Sequence, residues 1–314
     1  MLFHAGGSIF PAAEYWHTDM FARAFGWGNA RMFFFFVLSG FIIAQIHARD
    51  VGQPARLQRY LGRRLTRIYP VYWIVLAGMV ALGAAGIGVL PTPGVLLSSV
   101  LLFGPDNYAT VVAVAWTLYH EIVFYAVFAA WIVSVRLGQI VTLAWLALIA
   151  TTAIFGASAV PAYLAAPINL AFGLGVAAWR VSRYPLPTWL AVAGAAGFAM
   201  VAVDTVTTRL LPEVGRELAF GATAALTIAA LVALERRRAI AVPRLLLALG
   251  AASYTIYLTH FPILSLLAKV AVATGLVGRV PPALGFVATV ALTVGLGYAF
   301  HRLVERPLLA RLTR

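Results

Sequence analysis

Cysteine is absent from the 314 residues, which excludes disulfide frameworks, thiolate metal sites and a cysteine nucleophile. Charge is scarce as well: charged residues make up 11%, against roughly 25% in a soluble domain. Several chemical signatures are missing. There is no HExxH, no G-x-S-x-G, no phosphate-loop lysine motif, and no His-x-x-x-x-Asp pair of the kind soluble glycerolipid acyltransferases carry. The opening MLFHAGGSIF has neither a charged leader nor a cleavage site, so it is not a signal peptide.

What the chain has is hydrophobicity. With 62% hydrophobic residues and a mean hydropathy of +0.92, it holds more apolar surface than a soluble core of this length can hide. The membrane is therefore its solvent. Nine apolar segments reach spanning length, at approximately 31–47, 68–90, 109–135, 139–157, 162–179, 187–203, 218–234, 245–270 and 281–303. Residues 1–10 are apolar but too short to span, and read as the outer end of a helix whose beginning is missing. Loops are short and no internal repeat is clear. The expected fold is all-α: a polytopic transmembrane bundle in a single domain over 1–314, with a first-span remnant at 1–10 and a cytoplasmic tail at 304–314.

The net charge of +13 would suggest a nucleic-acid partner if the arginines formed one soluble patch. They fall instead between apolar spans, the pattern of cytoplasmic loops, so no nucleic acid is implied. Placing the 49–67 loop inside puts Arg49, Arg56, Arg59, Arg63, Arg64, Arg67, Arg136, Arg180, Arg183, Arg236, Arg237, Arg238, Arg244, Arg302, Arg306, Arg311 and Arg314 inside. Outside are only Arg23, Arg31, Arg209, Arg216, Lys269 and Arg279. The C-terminus is then cytoplasmic, and the 91–108 loop with Asp106 faces out.

Against this apolar background one carboxylate stands out. Glu121 lies in AVAWTLYHEIVFYAVFAAWIV, and an acid at the centre of a spanning helix costs about 2.5–3.5 kcal/mol. It needs a partner, for catalysis, ion conduction or a buried structural pair. His120 is next to it but about 100° round the helix, so the two face different targets. Of the other histidines, His4 stands beside two glycines and His260 lies at membrane depth in SYTIYLTHFPIL. A structural hydrogen bond is the plain alternative for both. His17, His47 and His301 read as interfacial and structural, and Asp106, Asp204, Glu213 and Glu217 as solvated outer-loop charges. Arg56, Arg59, Arg63 and Arg67 share one helical face with Arg64 beside it, suited either to anionic lipid headgroups or to the phosphates of a nucleotide-like cofactor.

Six segments in order carry a resemblance: FHAGG at 3–7, FFFFVLSGFIIA at 33–44, RRLTRIYPVYW at 63–73, WTLYHEIVFYAVF at 116–128, SYTIYLTHFPIL at 253–264 and VERPLLARL at 304–312. Together they resemble the acyltransferase-3 family of bacterial membrane O-acyltransferases, in its exopolysaccharide-modifying branch. The resemblance implies about ten helices in the bacterial inner membrane. It also implies transfer of an acyl group, most often acetyl, from cytoplasmic acyl-CoA to a hydroxyl of a glycan or glycolipid. No permanently bound cofactor or metal is implied; acyl-CoA is a donor substrate, and membrane lipids and polysaccharide-assembly proteins are the further partners.

Residue by residue, His4 matches the family's catalytic histidine, as general base or as a covalent acyl carrier. Glu121 would orient or stabilise an imidazolium. Arg63, Arg64 and Arg67 would bind the CoA phosphates, with Ser39, Trp116, Tyr125 and His260 shaping the cavity. The family also has an arginine about three helical turns before its histidine, a position that precedes Met1. The resemblance therefore implies either a start upstream of Met1 or a shortened copy with impaired activity. The alternatives of another class are a proton-coupled transporter or flippase of a lipid-linked glycan using Glu121, and a non-catalytic partner in polysaccharide export.

Overall fold

The computed structural model describes residues 1–12, 15, 16, 18, 20–27, 30–104, 110–156, 160–237 and 241–312. The expectations for His17, Asp106, Arg238 and Arg314 lie outside the described residues. In chain order the helices are α1 (Leu2–His4), continued by a π-turn Ala5–Ile9, then α2 (Met20–Phe25), α3 (Ala30–His47), α4 (Leu57–Ala84), α5 (Pro93–Leu101), α6 (Trp116–Val133), α7 (Val135–Phe155) and α8 (Ala162–Ala165). They continue with α9 (Leu170–Val181), α10 (Trp189–Val206), α11 (Glu213–Glu235), α12 (Arg244–Ala251), α13 (Ser253–Ala273), α14 (Pro282–Phe300), a π-turn His301–Glu305 and α15 (Arg306–Leu312). Eight of the described helical segments are long and apolar enough to cross a membrane. The fold is a polytopic helical bundle.

The 162–179 segment departs from the nine expected spans. Pro167 has no N–H to donate and disfavours a helical conformation at Ala166, whose backbone is extended at φ −66° and ψ 136°. The segment therefore breaks into α8, a 3₁₀ turn Pro167–Asn169 and the twelve-residue α9. Carbonyls freed at such a break must find donors, since hydrocarbon offers none. The Asn169 side-chain amide donates to the Tyr163 carbonyl at 2.9 Å, and Trp145 Nε1 donates to the Leu164 carbonyl at 2.7 Å.

The 91–108 stretch is not a simple outer loop either. Its helix α5 turns back against the middle of α4 and ends at Leu102, which adopts the left-handed conformation at φ 52°. The last four carbonyls of a helix have no partner within it. Here each has an aromatic donor: Tyr119 to Ser98 (2.9 Å), Tyr72 to Ser99 (2.7 Å), Trp73 to Val100 (3.0 Å) and Tyr69 to Leu101 (2.7 Å).

The core forms where α3, α6 and α9 meet. Phe172 stacks on Phe36 at 4.6 Å and on Phe124 at 4.4 Å between ring centroids. Two glycines allow α3 and α9 to touch backbone to backbone. A Cβ on Gly40 would fall 2.1 Å from the Phe172 carbonyl oxygen, and one on Gly175 would fall 2.0 Å from that of Val37. Only glycine fits at this crossing.

The arginines gather at one end. Arg64 contacts His47 at the end of α3, Arg67 pairs with Glu305 beyond α14, and Arg236 donates to the Ser182 carbonyl after α9. Arg180 shares a pocket wall with Ala48 and Val51 of that same end. The 49–67 arginines and those after α9 and α11 thus face one side of the bundle, as the alternation of spans predicts.

Candidate active site

A cavity of about 600 Å³ runs along the inside of α3 from the basic end towards its N-terminus. Its α3 wall holds Arg31, Phe35, Leu38, Ser39 and Ile42, the three-to-four-residue spacing of one helix face. Arg31 and Ile43 mark the ends of that wall, about 18 Å apart at the helical rise of 1.5 Å per residue. On α13 the same periodicity brings Ser253, Ile256, Tyr257 and His260 to the opposite wall, while α6 contributes Glu121 and Tyr125. Arg64 and Arg67 close the basic end; Met1, Arg31 and His260 stand at the other.

Glu121 is buried and placed on the wall between the two ends. Its Oε1 accepts a hydrogen bond from the Tyr125 hydroxyl at 2.5 Å, one helical turn along, and a longer one from Ser39 Oγ at 3.3 Å. These two hydroxyls are its described hydrogen-bond partners, and Arg64, Arg67 and His260 line the same cavity. Tyr60 donates to the Tyr125 carbonyl at 3.1 Å and packs edge-on to its ring, which fixes this part of α6 to α4.

His120 lies on the other face of α6, as the 100° step requires. Its Nδ1 is 2.7 Å from Asn169 Oδ1, and Trp116 packs edge-on to its ring at 5.7 Å. Trp116 therefore belongs to the His120 face and is not among the residues that line the cavity. The reason is the i, i+4 spacing: Trp116 shares a face with His120, and Tyr125 shares one with Glu121. Asn169 escapes sequence reading because it sits in a segment that looks like an uninterrupted span; Pro167, two residues before it, is the local signal.

At the basic end, Arg64 and Arg67 point to the cavity and Arg63 is exposed to the surroundings. Arg64 Nη2 lies 3.3 Å from His47 Nε2, while its Nε is buried without a hydrogen-bond partner among the described residues. His47 Nδ1 in turn is 2.8 Å from Asp50 Oδ2. Arg67 is held more firmly: Nη1 donates to Glu305 Oε1 at 2.8 Å, and the guanidinium carbon lies 5.3 Å above the centre of the Tyr254 ring.

Glu305 is fully buried, and Thr255 and His301 also bond to it, the latter through Nδ1 at 2.5 Å. The π-turn His301–Glu305 widens the helix at this point and turns both side chains inwards, a feature that often marks functional sites. Glu305 was expected in a cytoplasmic tail. What could have found it is the His–Glu pair at i, i+4 directly after the last apolar run.

At the opposite end, His4 and His260 meet with ring centroids 5.3 Å apart, and Phe261 packs edge-on against His4 at the same distance. His260 lines the cavity; on the first helical segment it is Met1 that does. Arg31, expected only as an outer-loop charge, is on the cavity wall near both histidines. The structure thus brings Ser39, Arg64, Arg67, Glu121, Tyr125 and His260 to one cavity, with His4 against its far end and Arg63 and Trp116 outside it.

Residues 1–302 match the family model of an acyltransferase domain. The chain is also similar to the exopolysaccharide production protein ExoZ of Rhizobium meliloti (strain 1021), with 32% identity over 332 residues, covering 99% of this chain and 95% of that protein. No solved structure matches the chain.

Proposed function

Since the chain belongs to this acyltransferase family and is a multi-pass membrane enzyme, we propose that it moves an acyl group, acetyl in the commonest case, from acyl-CoA to a hydroxyl of an exopolysaccharide or its glycolipid precursor. The observation that carries the reading is the single cavity joining Arg64 and Arg67 at one end to His260 and the neighbouring His4 at the other, with Glu121 between them. In this reading the basic end faces the cytoplasm of a bacterial inner membrane, where acyl-CoA is made and the arginines satisfy the positive-inside rule.

The residues divide the work by position. Arg64, with an unpaired buried Nε, receives a phosphate of CoA, and Arg67 adds positive charge beside it. Arg63, on the exposed side of α4, meets the more distant phosphates or the lipid headgroups. The acyl thioester then extends along the cavity past Ser39, Tyr125 and Glu121. At the far end an imidazole of the pair His4 and His260, of which His4 matches the family histidine, accepts the proton of the acceptor hydroxyl as that oxygen attacks the thioester carbonyl. The C–O bond forms, the C–S bond breaks, and the CoA thiolate leaves with the proton. General-base assistance of this kind contributes roughly 10²–10⁴-fold. Glu121, held by two hydroxyls, supplies negative charge facing the cavity that favours an imidazolium.

A flippase would use interrupted helices around its site. The chain has them in α5 and α8–α9, but no residue of these segments is among those lining the cavity. The test is acyl transfer by the purified protein in liposomes loaded with acetyl-CoA, with de-esterified exopolysaccharide outside. Ester formation matched by release of CoA thiol supports the reading. Glycan flux without ester formation overturns it.

A further inference from the structure

Three buried histidines have described nitrogen contacts, and they differ in one respect. His47 uses both nitrogens, Nδ1 with Asp50 and Nε2 with Arg64. His120 is packed between Asn169, Trp116 and Phe36, on the face of α6 turned away from the cavity. His260 uses only one. Its Nδ1 lies 2.5 Å from the Tyr257 carbonyl oxygen, and because a carbonyl can only accept, Nδ1 carries the hydrogen. The ring's lone pair is therefore on Nε2. That atom is buried without a hydrogen-bond partner among the described residues, in a residue that lines the cavity.

A buried acceptor left unpaired is costly, and such atoms in folded proteins call for an explanation. Here the surroundings hold the ring still. The backbone that supplies the Tyr257 carbonyl is fixed by the Tyr257 side chain, whose hydroxyl bonds Thr117 at 2.6 Å and donates to the Val114 carbonyl. His4 packs against the ring at a tilt, with centroids 5.3 Å apart. The result is an imidazole of defined tautomer on the cavity wall, whose Nε2 has no hydrogen-bond partner among the described residues.

We propose that His260 is a catalytic residue of the acyl transfer: its Nε2 takes the proton of the acceptor hydroxyl, beside His4. This rests on the acyltransferase reading above and deepens it. The hydroxyl O–H breaks as its hydrogen bonds to Nε2, and the oxygen forms the ester C–O bond. The thioester C–S bond breaks, and the leaving CoA sulfur takes the proton from Nε2–H. His260 returns to its neutral form with Nδ1–H still on the Tyr257 carbonyl. His4 completes the site by packing against the ring that does this.

The experiment compares His260→Asn and His260→Gln with wild type and His4→Ala, using acetyl-CoA and de-esterified exopolysaccharide. The Asn amide can keep the bond to the Tyr257 carbonyl but has no basic nitrogen at the Nε2 position. Both variants should lose about 10²–10⁴-fold in kcat, with the KM for acetyl-CoA within about twofold, since uniform donor binding is untouched. A folded His260→Asn protein that turns over at the wild-type rate, while His4→Ala is inactive, overturns the proposal and leaves the acyltransferase reading standing. Absence of acetyl transfer by the wild-type protein overturns both. A second measurement needs no variant: diethyl pyrocarbonate modifies unprotonated imidazole, and mass spectrometry locates it. Inactivation that tracks modification of His260 and slows with acceptor present supports the proposal. Full activity with His260 modified overturns it.

Discussion

The two faces of α6 hold opposite solutions to the same problem. His120 and Glu121 are adjacent, and both are buried in a helix that crosses the membrane, at 0% and 7% exposure. On the first face the polarity is closed: His120 bonds Asn169, Asn169 bonds the Tyr163 carbonyl, and aromatic rings surround them. On the second face the carboxylate bonds two hydroxyls among the described residues and lines a cavity with arginines at one end and histidines at the other. The difference teaches that a polar group at membrane depth is not functional by virtue of its cost. The closed face joins the broken segment α8–α9 to α6 and so holds the helix's rotation about its axis. The open face is what that rotation presents.

The largest effect that sharpens this contrast should come from the open side. His4→Ala, assayed for acetyl transfer in liposomes, should lose roughly 10²–10⁴-fold in turnover with normal expression and monodispersity, because it breaks the imidazole pair that accepts the proton. Glu121→Gln should follow, with a loss of roughly 10²-fold in kcat and little change in thermal unfolding, since the amide oxygen still accepts from Tyr125. Wild-type turnover in Glu121→Gln would remove the distinction between the two faces.

The closed side should answer in stability. Asn169→Leu leaves His120 Nδ1 and the Tyr163 carbonyl without their partner, and should cost about 1–3 kcal/mol in denaturant unfolding in detergent. The folded fraction should keep its specific activity. If Asn169→Leu instead lowers kcat in fully folded protein, His120 belongs to the reaction after all.

Smaller effects are expected at the basic end. Glu305→Gln weakens the hold on Arg67 without emptying the site, and should raise the KM for acetyl-CoA by about tenfold, or 1.4 kcal/mol of binding, with kcat close to wild type. Arg64→Ala should raise KM to a similar or smaller extent, as expected for contacts made equally in ground and transition states. A fall in kcat at unchanged KM in either variant would place these groups nearer the reacting atoms than the geometry does.

Much of this was legible in the chain itself. Membrane spans follow from hydropathy and length, and the gathering of arginines at one end follows from alternating loops. Separation of His120 from Glu121 follows from the helical step alone, as does the pairing of Tyr125 with Glu121. These are properties of near neighbours, which the helix geometry relates by arithmetic. The motif order identified the family without any contact being known.

What tertiary structure alone decided are the partners that lie far apart in sequence. Ser39 reaches Glu121 across 82 positions, and Arg67 reaches Glu305 across 238. The turn of α5 back onto α4 depends on tyrosines from α4 and α6, and His260 lines a cavity that exists only because α3, α4, α6 and α13 surround it. Apolar periodicity tells which face of a helix turns inwards but not which helix it will meet. That choice is made where backbones can approach, as at Gly40 and Gly175, and where every carbonyl freed by a break can find a donor, conditions that only the packed bundle satisfies together.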